Sequence, residues 1–121
     1  MRALVIEDSR AMRTILTRTM GGLGFEVEAV GDGAQGIEAV ERGPLPDICL
    51  IDWNMPVMNG LEFVVEVRKR REWRDITLMM VTTEAEHTSM VRALAAGAHE
   101  YVIKPFTPDV IEDKLTILGL L

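Results

Sequence analysis

Short apolar runs alternate with helical patterns along the whole chain, and this alternation leaves few folds open. The runs are Ala3 to Glu7, Phe25 to Val30, Ile48 to Ile51, Ile76 to Val81 and Tyr101 to Ile103. Apolar runs this short, bounded by turn residues, read as strands, and those without alternation read as buried on both faces. Phe25-Glu26-Val27-Glu28-Ala29-Val30 does alternate, so it is expected at a sheet edge. Between the runs lie helices. Ser9 is a good N-cap for one with Met12, Ile15, Leu16 and Met20 on its inner face, ended by Gly21, Gly22 and Gly24. Asp32 caps a second, with Ala34, Ile37, Ala39 and Val40, closed by Gly43-Pro44. Gly60 opens a third, with Leu61, Val64, Val65 and Val67 expected inward. A fourth, from about Glu86 to Ala96, carries Met90, Val91 and Leu94 on one face and ends at Gly97. Thr107 or Pro108 starts the fifth, with Val110, Ile111, Leu115 and Leu118. Strand and helix alternate five times, which predicts an α/β fold: a parallel sheet with helices on both faces. Right-handed crossovers reduce the arrangements further, and the flavodoxin-like strand order 2-1-3-4-5 suits five strands. The 121 residues, 1–121, suit one domain that needs no staples.

The formal net charge of −6 argues against nucleic acid or an anionic membrane as partner. The one basic cluster, Arg68-Lys69-Arg70-Arg71 with Arg74 beyond it, falls at a helix end, where cations favour the helix dipole. It reads as a solvated helix end, with an anion-binding patch as the other reading. The single cysteine, Cys49, lies inside an apolar run and cannot form an intramolecular disulfide, which fits a reducing, cytoplasmic setting. The apolar N-terminal stretch is too short for a signal peptide or a membrane span.

The chemistry collects where the strands end. Glu7 and Asp8 follow the first run, Asp52 the third, Thr82 the fourth and Lys104 the fifth. In a parallel sheet these all lie at the C-terminal edge, where open α/β sheets bind ligands. A carboxylate such as Asp52 there can cap a turn, bind a metal or act as a nucleophile. Two carboxylates ~4 Å apart repel by about 4 kcal/mol at an effective dielectric near 20, more than Lys104 alone offsets for three of them. The set therefore calls for a hard divalent cation, and Mg²⁺ suits one or two carboxylates plus waters and a phosphoryl oxygen. Neither His87 nor His99 directly follows a strand, so no softer ligand joins the set. Lysine, a threonine hydroxyl and Mg²⁺ around a carboxylate form a cage for a transferring phosphoryl group, and with Asp52 as nucleophile the product is an acyl phosphate.

At these positions the chain resembles the receiver domain of two-component response regulators along its whole length. Glu7-Asp8, Asp52, Thr82 and Lys104-Pro105 stand in that family's signature places. Asp52-Trp53-Asn54-Met55-Pro56-x-Met58-x-Gly60-Leu61-Glu62, Thr82-x-Glu84 and Lys104-Pro105-Phe106-Thr107 are most similar to the stand-alone chemotaxis, CheY-like type. The resemblance implies roles. Asp52 would be the phosphoacceptor, taking a phosphoryl group from a histidine kinase or phosphotransfer protein. Asp8 would bind Mg²⁺ directly, Glu7 through water, Asp52 by its side chain and Asn54 by its backbone carbonyl. Lys104 would pair with the phosphate, Thr82 would move to bond it, and Tyr101 would follow Thr82. The Lys104-Pro105 peptide is expected to be cis. Asn54, Thr83 and Glu84 would tune hydrolysis. Asn54 and Glu84 match the faster pattern, whereas the bulkier Thr83 and the longer Glu7 are departures that bear on the rates. Such a protein assists its own phosphorylation and dephosphorylation and is not a conventional enzyme.

The resemblance also implies a signal leaving through helix four, strand five and helix five. His87, Met90, Tyr101 and Lys114 are the expected exposed contacts with a target protein. No linker follows Leu121, so the expected output is protein–protein binding by a monomer or weak dimer, in chemotaxis or motility. A phosphate sink, a developmental or cell-cycle relay adaptor, and a receiver working without phosphorylation are the alternatives.

Overall fold

In the computed structural model, which describes all 121 residues, the strands and helices alternate as the periodicity predicts. The strands are β1 (Arg2–Ile6), β2 (Glu26–Val30), β3 (Ile48–Ile51), β4 (Thr77–Thr82) and β5 (Glu100–Ile103). The helices are α1 (Arg10–Gly22), α2 (Gly33–Arg42), α3 (Gly60–Lys69), α4 (His87–Ala96) and α5 (Pro108–Ile117), with a 3-10 turn at Arg71–Trp73. All neighbouring strands are parallel, in the order β2-β1-β3-β4-β5. The half-polar β2 lies at the edge, as its alternation requires.

Side chains alternate across the sheet and build two cores. Leu4, Ile6, Cys49, Ile51, Leu78, Met80 and Tyr101 face α2, α3 and α4. Ala3, Val5, Ile48, Leu50, Met79, Val81 and Val102 face α1 and α5. β3 is central and buried on both sides, which explains its unbroken Ile-Cys-Leu-Ile run. Burying one such side chain contributes about 1.5–3 kcal/mol.

Some inward assignments need correction. α3 buries Gly60, Phe63, Val64 and Val67, a spacing that turns Val65 outward and leaves Leu61 half-buried. The large Phe63 ring takes the core position between α2 and β1, beside Gly36 and Ile6. α4 buries only Ala93, leaving Val91 and Leu94 exposed and Met90 partly buried. Ile15 and Val110 are exposed as well.

The basic cluster divides: Lys69, Arg71 and Arg74 are exposed, as a solvated helix end would be, whereas Arg68 and Arg70 are tied to the fold. Arg70 pairs with Glu41 at 3.0 Å and stacks over Trp73, while Lys69 pairs with Glu66. Arg68 donates to the carbonyls of Gly97, Trp73, Arg74 and Ile76, tying the end of α3 to the starts of β4 and β5. Gly97 makes this possible: its φ is +125°, and a Cβ there would sit 2.6 Å from Arg68 Cγ. Beside this knot, His99 Nδ1 accepts the Leu78 N–H at 3.1 Å and lies 3.4 Å from Arg68 Nη2. Much of His99 is exposed, but this ring edge is turned inward. Burial, and then the Arg68 charge, hold its pKa below the ordinary 6.5.

His99 thus binds a proton less readily folded than unfolded. Its contribution to stability is complete above the ordinary histidine pKa of about 6.5 and is lost as pH falls through the lower folded value. Asparagine offers an acceptor that does not titrate. Denaturant titrations at a series of pH values should show His99→Asn losing less stability than the parent protein between about pH 7 and 5. Equal slopes would show that His99 does not titrate on unfolding.

Candidate functional site

Glu7, Asp8, Asp52, Thr82 and Lys104 each stand at or just past the end of a strand, and the sheet's backbone ladder runs on to hold three of them. Glu7 N–H donates to Val30 O at 3.1 Å, Asp52 N–H to Ile6 O at 3.0 Å and Lys104 N–H to Thr82 O at 2.9 Å. β1, β3, β4 and β5 are consecutive neighbours, so Glu7, Asp52, Thr82 and Lys104 share one edge. Carboxylate oxygens of Glu7, Asp8 and Asp52 all lie within 4.8 Å of one another. Lys104 Nζ reaches Glu7 Oε2 at 2.9 Å and Asp52 Oδ2 at 3.7 Å. The Lys104-Pro105 peptide is cis, and Gly43-Pro44 is a second cis peptide.

Burial sharpens the electrostatics. The Glu7 side chain is 2% exposed, Asp52 9% and Lys104 11%, whereas Asp8 is open to solvent. Burial raises the pKa of Glu7, the Asp52 charge adds to this, and the Lys104 bond opposes it. Two backbone donors unmarked by any sequence signal help hold the acids. Ser9 N–H donates to Glu7 Oε1 at 3.1 Å, and Trp53 N–H donates to Asp52 Oδ1 at 2.8 Å. Three hard oxygen donors facing one lysine fit a small divalent cation. Arg13 was also missed: its Nη1 donates to the carbonyls of Glu7 and Asp8.

Around this centre, Thr82 is wholly buried and its Oγ1 accepts the Glu84 N–H at 3.1 Å. Tyr101, expected among the exposed contacts, is buried, at 7% exposed. Its ring packs against the core and its hydroxyl donates to Glu84 O at 2.6 Å. Burial, with the charges of Glu84 and Asp52, pushes its pKa up to about 12. Asn54 and Thr83 are exposed and Glu84 is half-buried. His87 is exposed at the start of α4, Met90 is partly buried against the core, and Lys114 pairs with Glu100 at 3.1 Å.

The loop from β3 to α3 folds back over Asp52. Gly60 N–H donates to Trp53 O at 2.9 Å, and a Cβ on Gly60 would lie 2.2 Å from Asp52 O. Only glycine allows α3 to begin so close to that backbone. Asn59 caps α3 through a reciprocal pair with Glu62. Within the loop Val57 is 82% exposed with φ +69°, an unfavourable region for a β-branched residue.

A 2-1-3-4-5 parallel sheet with an acidic trio and a lysine at its C-terminal edge defines a receiver-type α/β domain. The chain belongs to the response regulator receiver domain family, which matches residues 3–116. It is a two-component response regulator domain of CheY-like type. It is similar to the chemotaxis protein CheY1 of Helicobacter pylori, 38% identical over 98% of this chain and 96% of that protein. The chemotaxis protein CheY4 of Vibrio cholerae superposes with a TM-score of 0.87 at 31% identity, covering 99% of this chain and 98% of that one. The receiver domain of a Pseudomonas aeruginosa sensor histidine kinase superposes at 0.86 and 28% identity, covering 96% and 94%, and that structure has a magnesium ion coordinated in its active-site cleft.

Gly60→Ala should cost about 1–3 kcal/mol by overpacking against fixed backbone. Gly21→Ala, in α1 with nothing within 4 Å, should be neutral or stabilising by up to about 1 kcal/mol. Chemical denaturation compares the two, and equal stabilities would show that the loop yields easily.

Proposed function

We propose that the protein takes a phosphoryl group onto Asp52 from a histidine kinase or phosphotransfer protein and then binds a target protein. The observation that carries this reading is the buried Asp52 carboxylate between Lys104 and two further acids. An Asp52 oxygen forms a bond to phosphorus as the phosphohistidine P–N bond breaks. The electron pair stays on the imidazole nitrogen, which takes up a proton. Lys104, already 3.7 Å from Asp52, lies within reach of a phosphoryl oxygen there. Glu7, Asp8, Asp52 and the Asn54 carbonyl would hold Mg²⁺, which when bound neutralises charge on the phosphoryl oxygens. The magnesium ion in the Pseudomonas aeruginosa receiver supports this choice. Asn54 and Glu84 admit and orient the hydrolytic water, and Thr83 narrows its approach. The chain acts on itself and is not a conventional enzyme.

The phosphoryl group adds roughly two negative charges beside Thr82 and Lys104. Turning a 1:99 equilibrium into 99:1 takes ~5.5 kcal/mol, and a few charge-assisted bonds of ~1.5–3 kcal/mol each are enough. Thr82 and Tyr101 both bond the Glu84 backbone, so a shift of Thr82 changes what holds the start of α4. The output surface is α4, β5 and α5, with His87, Met90 and Lys114 at its face. Chemotaxis or motility is the setting, supported by the chemotaxis names of its relatives. No helix is long and apolar enough to cross a membrane, and we place the protein in the cytoplasm.

Incubation with Mg²⁺ and acetyl phosphate, read by intact mass in the cold, should give a phosphoryl adduct. Asp52→Asn and a chelator should each abolish it. An adduct that persists in Asp52→Asn, or none on a folded protein even with a cognate kinase, overturns the reading in favour of an adaptor that works unphosphorylated. An adduct surviving for many hours would contradict the hydrolytic roles of Asn54 and Glu84.

A further inference from the structure

Arg13 lies on α1, outside the set of acids, lysine and threonine described above. We propose that it is a positioning residue for the metal-binding turn, an inference that rests on the reading of Glu7 and Asp8 as cation ligands. Its Nη1 donates to Glu7 O at 2.8 Å and to Asp8 O at 3.1 Å. One nitrogen with two N–H groups thus grips two consecutive carbonyls, those of the residues whose carboxylates converge on Asp52. The turn between β1 and α1 is held at few other points. Ser9 N–H binds the Glu7 side chain, and the Ser9 side chain caps α1 through Met12 N–H at 3.3 Å. Asp8 is exposed, and it is its carbonyl, not its carboxylate, that ties it to the helix. The Glu7 carbonyl fixes where that turn departs from the sheet. Arg13 therefore sets the peptide planes from which both carboxylates project. Gly31, in the turn between β2 and α2, lies nearby: a Cβ there would sit 3.5 Å from Arg13 Nη1.

Charge and geometry predict opposite results, which makes the idea testable. If Arg13 acted only as a nearby cation, Arg13→Gln would remove a like charge and tighten Mg²⁺ binding. As a positioning residue, its loss weakens binding, and outer partners of metal ligands typically matter by about 10–100-fold. Mg²⁺ affinity would be measured by titration calorimetry on the full chain, with thermal unfolding without metal as the check on folding. Arg13→Gln should bind Mg²⁺ about tenfold more weakly. The Mg²⁺ concentration for half-maximal phosphorylation by acetyl phosphate should rise by a similar factor. Arg13→Lys keeps the charge but loses the planar fork, so it should fall between the two, and it serves if the glutamine variant does not fold. Unchanged or tighter binding in folded Arg13→Gln overturns the proposal, as does parental affinity in Arg13→Lys. Absence of Mg²⁺ binding by the parent protein would instead overturn the cation-site reading itself, and this inference with it.

Discussion

The repulsion among Glu7, Asp8 and Asp52 is the constraint around which the upper edge of this domain is arranged. Their carboxylate oxygens lie within 4.8 Å of one another, and two of the three side chains are almost fully buried. One lysine bonds Glu7 at 2.9 Å and reaches Asp52 at 3.7 Å. Such an arrangement is costly without a cation and unusual in an ordinary turn. It persists because the sheet beneath it is rigid. The two cores bury β3 completely and hold β1 and β4 against it. The energy that tolerates the charged edge comes from apolar packing along the strands.

The same scaffold fixes the surrounding loops. Gly60 brings the start of α3 against the Asp52 backbone, and the Asn59–Glu62 pair stops the helix from fraying there. Ser9 and Trp53 supply backbone donors to the acids from the two loops beside the site. At the opposite edge, Arg68 gathers four carbonyls and joins α3 to β4 and β5. One edge is thus closed by hydrogen bonds to backbone, while the other is kept open and charged.

The fold was legible because strand and helix periods differ so clearly in this chain. The site was legible because Glu7, Asp8, Asp52, Thr82 and Lys104 stand where strands end, and a parallel order gathers strand ends. What escaped depended on long-range geometry. Leu61 and Val65 fit an inward stripe as well as Phe63 does until the space beside β1 and α2 is known. Arg68 looked like one member of a solvated cluster, because nothing local announces that Gly97 will leave it room. Tyr101 follows Glu100 on an edge strand, and only the position of Glu84 O shows that its hydroxyl turns inward. Arg13 is five and six residues from the carbonyls it holds, too far for a capping pattern and too near for a fold-level one.

Glu7, Asp52 and Lys104 are anchored by main-chain bonds to Val30, Ile6 and Thr82. Those anchors depend on strand register and on no particular side chain of the outer helix faces. Val91, Leu94 and Val110 on those faces contribute little to either core. The outer surface can therefore vary in sequence while the geometry at the sheet edge stays in place. The outer helix faces and the charged sheet edge are thus structurally independent, so substitutions on one need not disturb the other.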